Sequence, residues 1–195
     1  MGSSGSGKSL LLKTISLLHP ASQGSIHFRG KTIIPKNVLD FRAKVIYLHQ
    51  SPHFFPGTAR DNFKKVLSFK SHEKTKFSQD FLAASLETLD LSQAILEKDI
   101  TKLSGGQKQM IHLLRALVVK PNILMLDEAS ANLDSQGTQR MEKLVNLWLK
   151  QEEGRATIWI THQASQRKKI ANRHLLLENK RLVETNTLEK PAELS

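Results

Sequence analysis

The sequence predicts an α/β fold in which a mostly parallel sheet carries a helical insertion, and three observations support this. Short apolar runs alternate with helical patterns along most of the 195 residues, as expected where helices connect parallel strands. The run Ile123–Leu126 is apolar at every position, which is typical of a strand buried on both faces. Between about Arg60 and Leu96 the β-like runs stop and Lys and Ser become frequent, which indicates a helical segment inserted into that core.

The first half of the chain begins with a helix. We expect it to run from about Lys8 to Leu18, because the residue before Pro20 avoids the helical conformation. Ser25–Arg29 and Lys44–Leu48 have the composition of strands. Within the insertion, apolar residues recur at helical spacing over Phe77–Leu89, which predicts a helix there.

The second half alternates helices with strands and ends in a hairpin. A proline at position 121 stops the first of these helices before the buried strand. The predicted helices are Ser104–Val119, Ser135–Gln151 and Ala164–Ala171, and the predicted strands are Ile123–Leu126, Thr157–Thr161, Leu175–Glu178 and Arg181–Glu184, the last two joined by a turn at Asn179-Lys180.

The composition excludes some classes of function but does not identify one. The chain has 29 Lys and Arg against 18 Asp and Glu, a formal net charge of +11. Such a balance suits a polyanionic ligand, an anionic membrane surface or nucleic acid, although an ordinary solvated basic surface explains it as well. The absence of cysteine excludes disulfides and cysteine-ligated zinc, and no apolar run approaches the roughly 18 residues of a membrane span.

Residues Gly2–Ser9 match the pattern G-x-x-x-x-G-K-[ST], which holds the phosphates of a nucleotide. Small residues let backbone N–H groups turn inward around the phosphate oxygens. We expect Lys8 to reach the terminal phosphates and the Ser9 hydroxyl to hold Mg²⁺. A flexible linker would explain the Gly and Ser content, but not the apolar run Leu10–Leu12 that follows at once. The candidate phosphate-binding residues are Gly2, Ser3, Ser4, Gly5, Ser6, Gly7, Lys8 and Ser9.

Two carboxylates follow the buried strand Ile123–Leu126. A strand of this kind delivers them to the carboxyl edge of the sheet, where ligands of open α/β folds bind. We expect Asp127 to hold Mg²⁺, through water, and Glu128 to act as general base on an attacking water. Two acidic residues at the start of an ordinary loop would be an equal alternative if the phosphate-binding pattern were absent.

The segment Leu103–Gln107 reads Leu-Ser-Gly-Gly-Gln, and two interpretations compete for it. Ser104 followed three residues later by Gln107 is a capping box, which starts a helix. Capping gives no reason for Gly105 and Gly106, each of which costs about 1 kcal/mol relative to alanine in a helix. The glycines are explained if a phosphate approaches the backbone at the helix N-terminus, so we favour that interpretation.

With these motifs in this order, the chain resembles the ATP-binding cassette (ABC) family of ATPases along nearly its whole length. The resemblance implies that Leu103–Gln107 is the signature sequence, in which Ser104, Gly105, Gly106 and Gln107 close over the γ-phosphate of the partner subunit's nucleotide. It also implies that Gln50, within Leu48–Ser51, is the Q-loop glutamine. That residue contacts Mg²⁺ or the attacking water and links the site to a permease.

Two further residues take their roles from the resemblance alone. Asp134, at the end of Ser130–Asp134, matches the D-loop aspartate at the dimer interface. His162, directly after Thr157–Thr161, matches the switch histidine near the γ-phosphate. Without the family, a histidine after a strand would carry no functional interpretation.

The resemblance further implies the activity and the partners. It implies a Mg²⁺-dependent ATPase that releases ADP and phosphate and drives transport through a separate transmembrane permease. Two such subunits would form a head-to-tail homodimer or heterodimer with two shared sites. The subunit would sit peripherally on the cytoplasmic face of the inner (plasma) membrane, with no direct contact to nucleic acid. The compact insertion suggests a small bacterial export or metal-type system.

We expect one ABC ATPase domain over residues 1–195. Residues 1–56 and 122–195 would form the α/β core, and residues 57–121 the helical subdomain, including the signature sequence. The Phe54-Phe55 pair lies where the family faces its transmembrane partner, although core packing is the simpler interpretation.

The sequence departs from the family before the phosphate-binding loop, where the family has an antiparallel sheet, an adenine-stacking aromatic residue and the first strand of the core. We expect the missing strand to leave a gap between Thr157–Thr161 and Leu175–Glu178. Three explanations are a start codon placed too late, a truncated and inactive gene product, and a fragment of a longer chain. We favour the first.

Alternative functions remain at this point. A soluble ABC ATPase acting on nucleic acid is one, and a truncated, non-catalytic remnant is another. A nucleotide or small-molecule kinase is a third, and Leu103–Gln107 argues against it.

Overall fold

The computed structural model describes residues 5–161 and 171–185. The predicted helix Ala164–Ala171 lies outside the described residues except for its last position. No helix in these two ranges is long and apolar enough to cross a membrane.

The elements alternate between helix and strand. The helices are α1 (Lys8–Ile15), α2 (Val38–Lys44), α3 (Ala59–Leu67), α4 (Gln79–Thr88), α5 (Gly105–Leu117) and α6 (Ser135–Lys150). The strands are β1 (His27–Phe28), β2 (Lys31–Thr32), β3 (Val45–Leu48), β4 (Ile123–Asp127), β5 (Ala156–Ile160), β6 (His174–Glu178) and β7 (Arg181–Thr185). Short 3₁₀ turns lie at Lys70–His72, Gln93–Glu97 and Ile100–Lys102.

A parallel sheet forms the centre of the fold, in the order β3-β4-β5. Tyr47 of β3 pairs with Met125 of β4, and Leu126 pairs with Trp159 of β5. The central strand is buried on both faces, since Leu124, Met125 and Leu126 are each at most 1% exposed. The predicted α/β fold with a parallel sheet is confirmed.

Two apolar layers cover this sheet. One face packs against α5, α6 and the helical insertion, with Ile111, Met141 and Trp148 at its centre. The other face packs against α1 and α2, through residues such as Leu12 and Phe41. Because side chains alternate along a strand, Val45, Tyr47 and Met125 belong to the α1 layer.

Several elements are shorter than predicted. Helix α1 ends at Ile15 rather than at Leu18, because Leu17 takes a left-handed φ of 59° and turns the chain. The strand predicted at Ser25–Arg29 is reduced to the two residues of β1, which pair with β2 around a turn at Gly30. Helix α2 was not predicted, and it ends at Lys44, where the prediction had a strand begin.

The predicted hairpin is present as β6 and β7, with both turn residues in the left-handed region, Asn179 at φ 48° and Lys180 at φ 61°. Within the described residues, β6 pairs with β7 and β5 pairs with β4, and no strand joins β5 to β6. Strands β6 and β7 therefore form a two-stranded sheet of their own.

Candidate nucleotide-binding site

The phosphate-binding pattern forms a turn that leads directly into α1. Gly5 and Gly7 have φ values of 76° and 92°, a backbone conformation that residues other than glycine rarely adopt. No atom lies within 4 Å of where a Cβ would be at either position. Helix α1 begins at Lys8 with no acidic residue in its first turn, so its N–H groups and dipole favour an anion. Lys8 Nζ donates to Ser6 Oγ at 3.2 Å. Gly2, Ser3 and Ser4 lie outside the described residues.

Ser9 and Asp127, both predicted to hold Mg²⁺, lie side by side. The Ser9 hydroxyl donates to Asp127 Oδ1 at 3.0 Å, across a sequence separation of 118 residues. Asp127 is the last residue of β4 and is only 5% exposed. A hydroxyl and a carboxylate are the oxygen donors that Mg²⁺ prefers, so this pair fits the cation.

The protein supplies few other ligands at this place. In the part of the chain that the structure describes, no three His, Asp or Glu side chains cluster as a metal site. Mg²⁺ commonly binds through one or two protein oxygens and completes its shell with phosphate oxygens and water. The donor set therefore fits a cation that arrives with a nucleotide.

Tyr47 also contacts Asp127, and no motif in the sequence indicates this contact. Its hydroxyl donates to Asp127 Oδ2 at 2.5 Å. Burial raises the pKa of the Tyr47 phenol above its usual range, and the hydrogen bond to Asp127 and the charge of that carboxylate raise it further. The alternation of side chains along β3 predicts that Tyr47 and His49 lie on one face of the sheet. The parallel register of β3 and β4, which brings Tyr47 near Asp127, cannot be read from any short stretch of the sequence.

Glu128 and Gln50, the predicted base and the predicted Q-loop glutamine, are in contact. Gln50 Nε2 donates to Glu128 Oε2 at 3.2 Å. The backbone of Glu128 has φ 51°, in the left-handed region that costs a residue with a side chain about 1–3 kcal/mol. Its N–H donates to the Ile160 oxygen at 3.0 Å, which fixes this turn against β5.

The Leu103–Gln107 segment starts α5, and the capping box is formed. Ser104 Oγ accepts from the Gln107 N–H at 3.2 Å, and Gln107 Oε1 accepts from the Ser104 N–H at 3.1 Å. Open space surrounds Gly105, whereas a Cβ on Gly106 would lie 3.4 Å from Leu133 Cδ2. Ser104 and Gln107 hydrogen-bond each other, and neither is bonded to Ser9 or Asp127 within the described residues.

Asp134 caps α6. Its Oδ1 accepts a hydrogen bond from the Gly137 N–H at 2.7 Å, and the residue is exposed to solvent. Capping therefore explains this aspartate within one subunit, and an interface role would be additional. His162 lies outside the described residues, directly beyond Thr161 and the end of β5.

Comparison with known proteins identifies the family to which the chain is similar. The family described as ABC transporter matches residues 1–131. Protein STAR1 of Oryza sativa subsp. japonica is 34% identical over 195 residues, which make up 100% of this chain and 54% of that protein. The chain thus spans about half the length of STAR1. ABC transporter I family member 17 of Arabidopsis thaliana is 31% identical over 195 residues, 100% of this chain and 72% of that protein.

Among solved structures, the fold is similar to the dimeric structure of a post-hydrolysis state of the ATP-binding cassette MJ0796 bound to ADP and Pi. The TM-score is 0.77 at 23% identity, covering 94% of this chain and 83% of that one. At this identity the likeness concerns the fold alone, which is that of the ATP-binding cassette. The family match over residues 1–131 and the 31% identity to the Arabidopsis thaliana protein show that the chain belongs to the ABC transporter family, as an ATP-binding domain.

Proposed function

We propose that the chain is the ATP-binding subunit of an ABC transporter and hydrolyses ATP to ADP and phosphate with Mg²⁺. Transport through a separate permease would be driven by this reaction. The observation that carries the proposal is the Ser9–Asp127 contact at the N-terminus of α1, with Glu128 directly beside it. Ser9 and Asp127 would hold Mg²⁺ there, and the bound cation would supply positive charge to offset the charge that develops on the transferred phosphoryl group.

Each residue has a distinct task in this proposal. Lys8 and the first N–H groups of α1 bind the phosphates, while Ser9 and Asp127 bind the cation. Glu128 accepts the proton of the attacking water. Gln50 holds the Glu128 carboxylate through its amide N–H at 3.2 Å.

In this proposal, further residues would complete the nucleotide-binding site through contacts that one subunit does not show. His162, which follows Thr161 in the sequence, would approach the γ-phosphate. Ser104, Gly105, Gly106 and Gln107 of one subunit would close over the nucleotide of its partner in a head-to-tail dimer. The exposed position of Ser104 and Gly105 at the start of α5 supports this, because none of residues 5–161 and 171–185 covers that helix end.

The permease would contact the helical subdomain, residues 57–121, and the segment that precedes it. Phe55 and Phe69 support this proposal. They are 39% and 43% exposed, and their rings pack edge to face with centroids 6.3 Å apart. An exposed aromatic pair beyond Gln50 offers an apolar contact to a transmembrane partner. In this arrangement the subunit lies peripherally on the cytoplasmic face of the inner membrane.

The test is a comparison of ATP binding and phosphate release. Glu128→Gln is expected to retain ATP binding and to lower the rate of hydrolysis by at least about 100-fold, because the base is removed. Glu73→Gln, an exposed glutamate of the insertion, is the matched control and should behave like the parent. Hydrolysis by Glu128→Gln at the parent rate would contradict the assignment, and no hydrolysis by the parent would favour a non-catalytic chain.

The charge of +11 supports a second candidate, a soluble ABC ATPase that acts on nucleic acid. Purification from cells distinguishes the two. Co-purification with a membrane protein supports the transporter subunit, whereas retention of RNA or DNA at physiological salt supports the alternative.

A further inference from the structure

We propose that Tyr47 is a positioning residue that decides which oxygen of Asp127 faces the nucleotide-bound Mg²⁺. This inference rests on the proposed function, because it assigns to Tyr47 a part in binding Mg²⁺ with ATP. It concerns a residue outside the recognised sequence motifs.

The carboxylate of Asp127 is engaged at both oxygens. Oδ1 accepts from Ser9 at 3.0 Å, and Oδ2 accepts from Tyr47 at 2.5 Å. Asp127 is 5% exposed and Tyr47 is 8% exposed, so bulk water does not compete freely for these oxygens. The two donors therefore fix the orientation of the carboxylate plane.

The two donors differ in how firmly they are held. Tyr47 is on β3, where it pairs with Met125 of β4, and its ring contacts His49 edge to face with centroids 4.6 Å apart. Ser9 has a hydroxyl on one rotatable bond, in the first turn of α1. Ser9 can turn its hydrogen away when its oxygen binds a cation, while Tyr47 stays in place.

The consequence is a division of work between the two oxygens of Asp127. Oδ1 would become available to the cation, while Oδ2 would keep its hydrogen bond from the phenol. A phenol is protonated throughout the neutral range, so Tyr47 acts as the donor in this hydrogen bond. Without the hydroxyl, Oδ2 loses the hydrogen bond from Tyr47, and the buried carboxylate is held less firmly in its present orientation.

The variant Tyr47→Phe tests this in the Glu128→Gln background, where ATP is not consumed. Nucleotide affinity is measured with ATP plus Mg²⁺ and with ATP plus EDTA. We expect the affinity in EDTA to stay within about twofold of the parent, and the gain produced by Mg²⁺ to fall about tenfold or more. A general loss of structure would instead lower both affinities.

The matched control is Thr138→Val, which removes a buried hydroxyl that has no acceptor among the described residues. It should leave both affinities as in the parent. An unchanged Mg²⁺ gain in Tyr47→Phe would overturn the role of Tyr47 while leaving the proposed function standing. No Mg²⁺-dependent ATP binding in the parent would overturn the proposed function, and this inference with it.

A second measurement leaves the chain unaltered. Tyr47 is the single tyrosine of the sequence, so labelling with [¹³Cζ]tyrosine gives one NMR resonance. Adding Mg²⁺ to the ATP-bound protein should shift it, because a cation drawn to Oδ1 weakens Oδ2 as an acceptor. A resonance that responds to neither ATP nor Mg²⁺ would also overturn the inference.

Discussion

Arg115 of α5 donates from Nη2 to the backbone oxygen of His53 at 2.6 Å. Its Nη1 donates to Asn62 Oδ1 at 3.2 Å, and the guanidinium lies 4.7 Å from the centre of the Phe54 ring. One side chain thus ties the helix that follows Leu103–Gln107 to the chain just beyond Gln50. Any movement of either segment involves this contact.

Replacing Arg115 with lysine should destabilise the chain by about 1–3 kcal/mol. Lysine keeps the charge but cannot make two directed hydrogen bonds and stack on Phe54 at once. Urea unfolding measures the change, and Arg42→Lys, at an exposed position of α2, is the control with little expected effect. Equal effects of the two substitutions would show that the contact adds no stability.

Asn62→Ala should cost about 2–4 kcal/mol in unfolding free energy. Asn62 is completely buried, and its Nδ2 donates to the oxygens of Phe55 and Thr58, both at 3.0 Å. Its Oδ1 also accepts from the Phe55 N–H at 2.9 Å, so the substitution removes three hydrogen bonds from the backbone groups of Phe55 and Thr58 and leaves a cavity at a buried position. The exposed Asn146→Ala, on α6, is the control in the same denaturant titration. A loss no larger than that of Asn146→Ala would contradict this account.

Gly105→Ala separates the two roles of the Leu103–Gln107 segment. Open space surrounds Gly105 in the first turn of α5, so alanine should stabilise the helix by up to about 1 kcal/mol. If the partner subunit's nucleotide approaches this backbone, hydrolysis should fall at the same time. Thermal unfolding and steady-state phosphate release should therefore move in opposite directions. A more stable variant with full activity would leave helix capping as the only role of this turn.

His112 should make the chain less stable in mild acid. Burial lowers its pKa to about 3, and the positive charges of Arg115, His49 and His53 act in the same direction. The unfolded chain binds a proton at this histidine below about pH 6.5, and the folded chain does not. Stability from this residue is therefore lost as pH falls, by about 1.4 kcal/mol per pH unit between about 6 and 4.

Urea unfolding at pH 7 and at pH 5 tests this prediction. His112→Leu should reduce the difference between the two values, whereas His19→Gln, at an exposed position, should not. Burial also lowers the pKa values of His49 and His72, so part of the difference should persist. An unchanged difference in His112→Leu would show that this histidine is not held neutral.

The candidate site was predictable where its signal is local. The spacing from Gly2 to Ser9, the carboxylates after β4 and the capping box at Ser104 are short patterns, and each has a direct physical reason. The rule that ligands meet the carboxyl edge of a parallel sheet predicted the position of Asp127 and Glu128, whereas the hydrogen bond from Ser9 to Asp127 was not predicted.

The contacts that escaped prediction depend on register and on short elements. Tyr47 reaches Asp127 because β3 pairs with β4 in one parallel register, which the packing of the intervening helices sets and no turn specifies. Helix α2 has only seven residues and β1 only two, too few for periodicity to be visible. Helix α1 ends early because Leu17 takes a left-handed backbone conformation, which leucine rarely adopts and which its sequence therefore does not predict.

The backbone of Glu128 carries a consequence for the evolution of such chains. At φ 51° the position suits glycine better than any acidic residue. Glu128→Gly should therefore be more stable than Glu128→Gln, although both lack the carboxylate. A lineage freed from selection for hydrolysis would drift toward glycine or asparagine here. The persistence of glutamate at so ill-suited a backbone angle would mark selection for chemistry over folding.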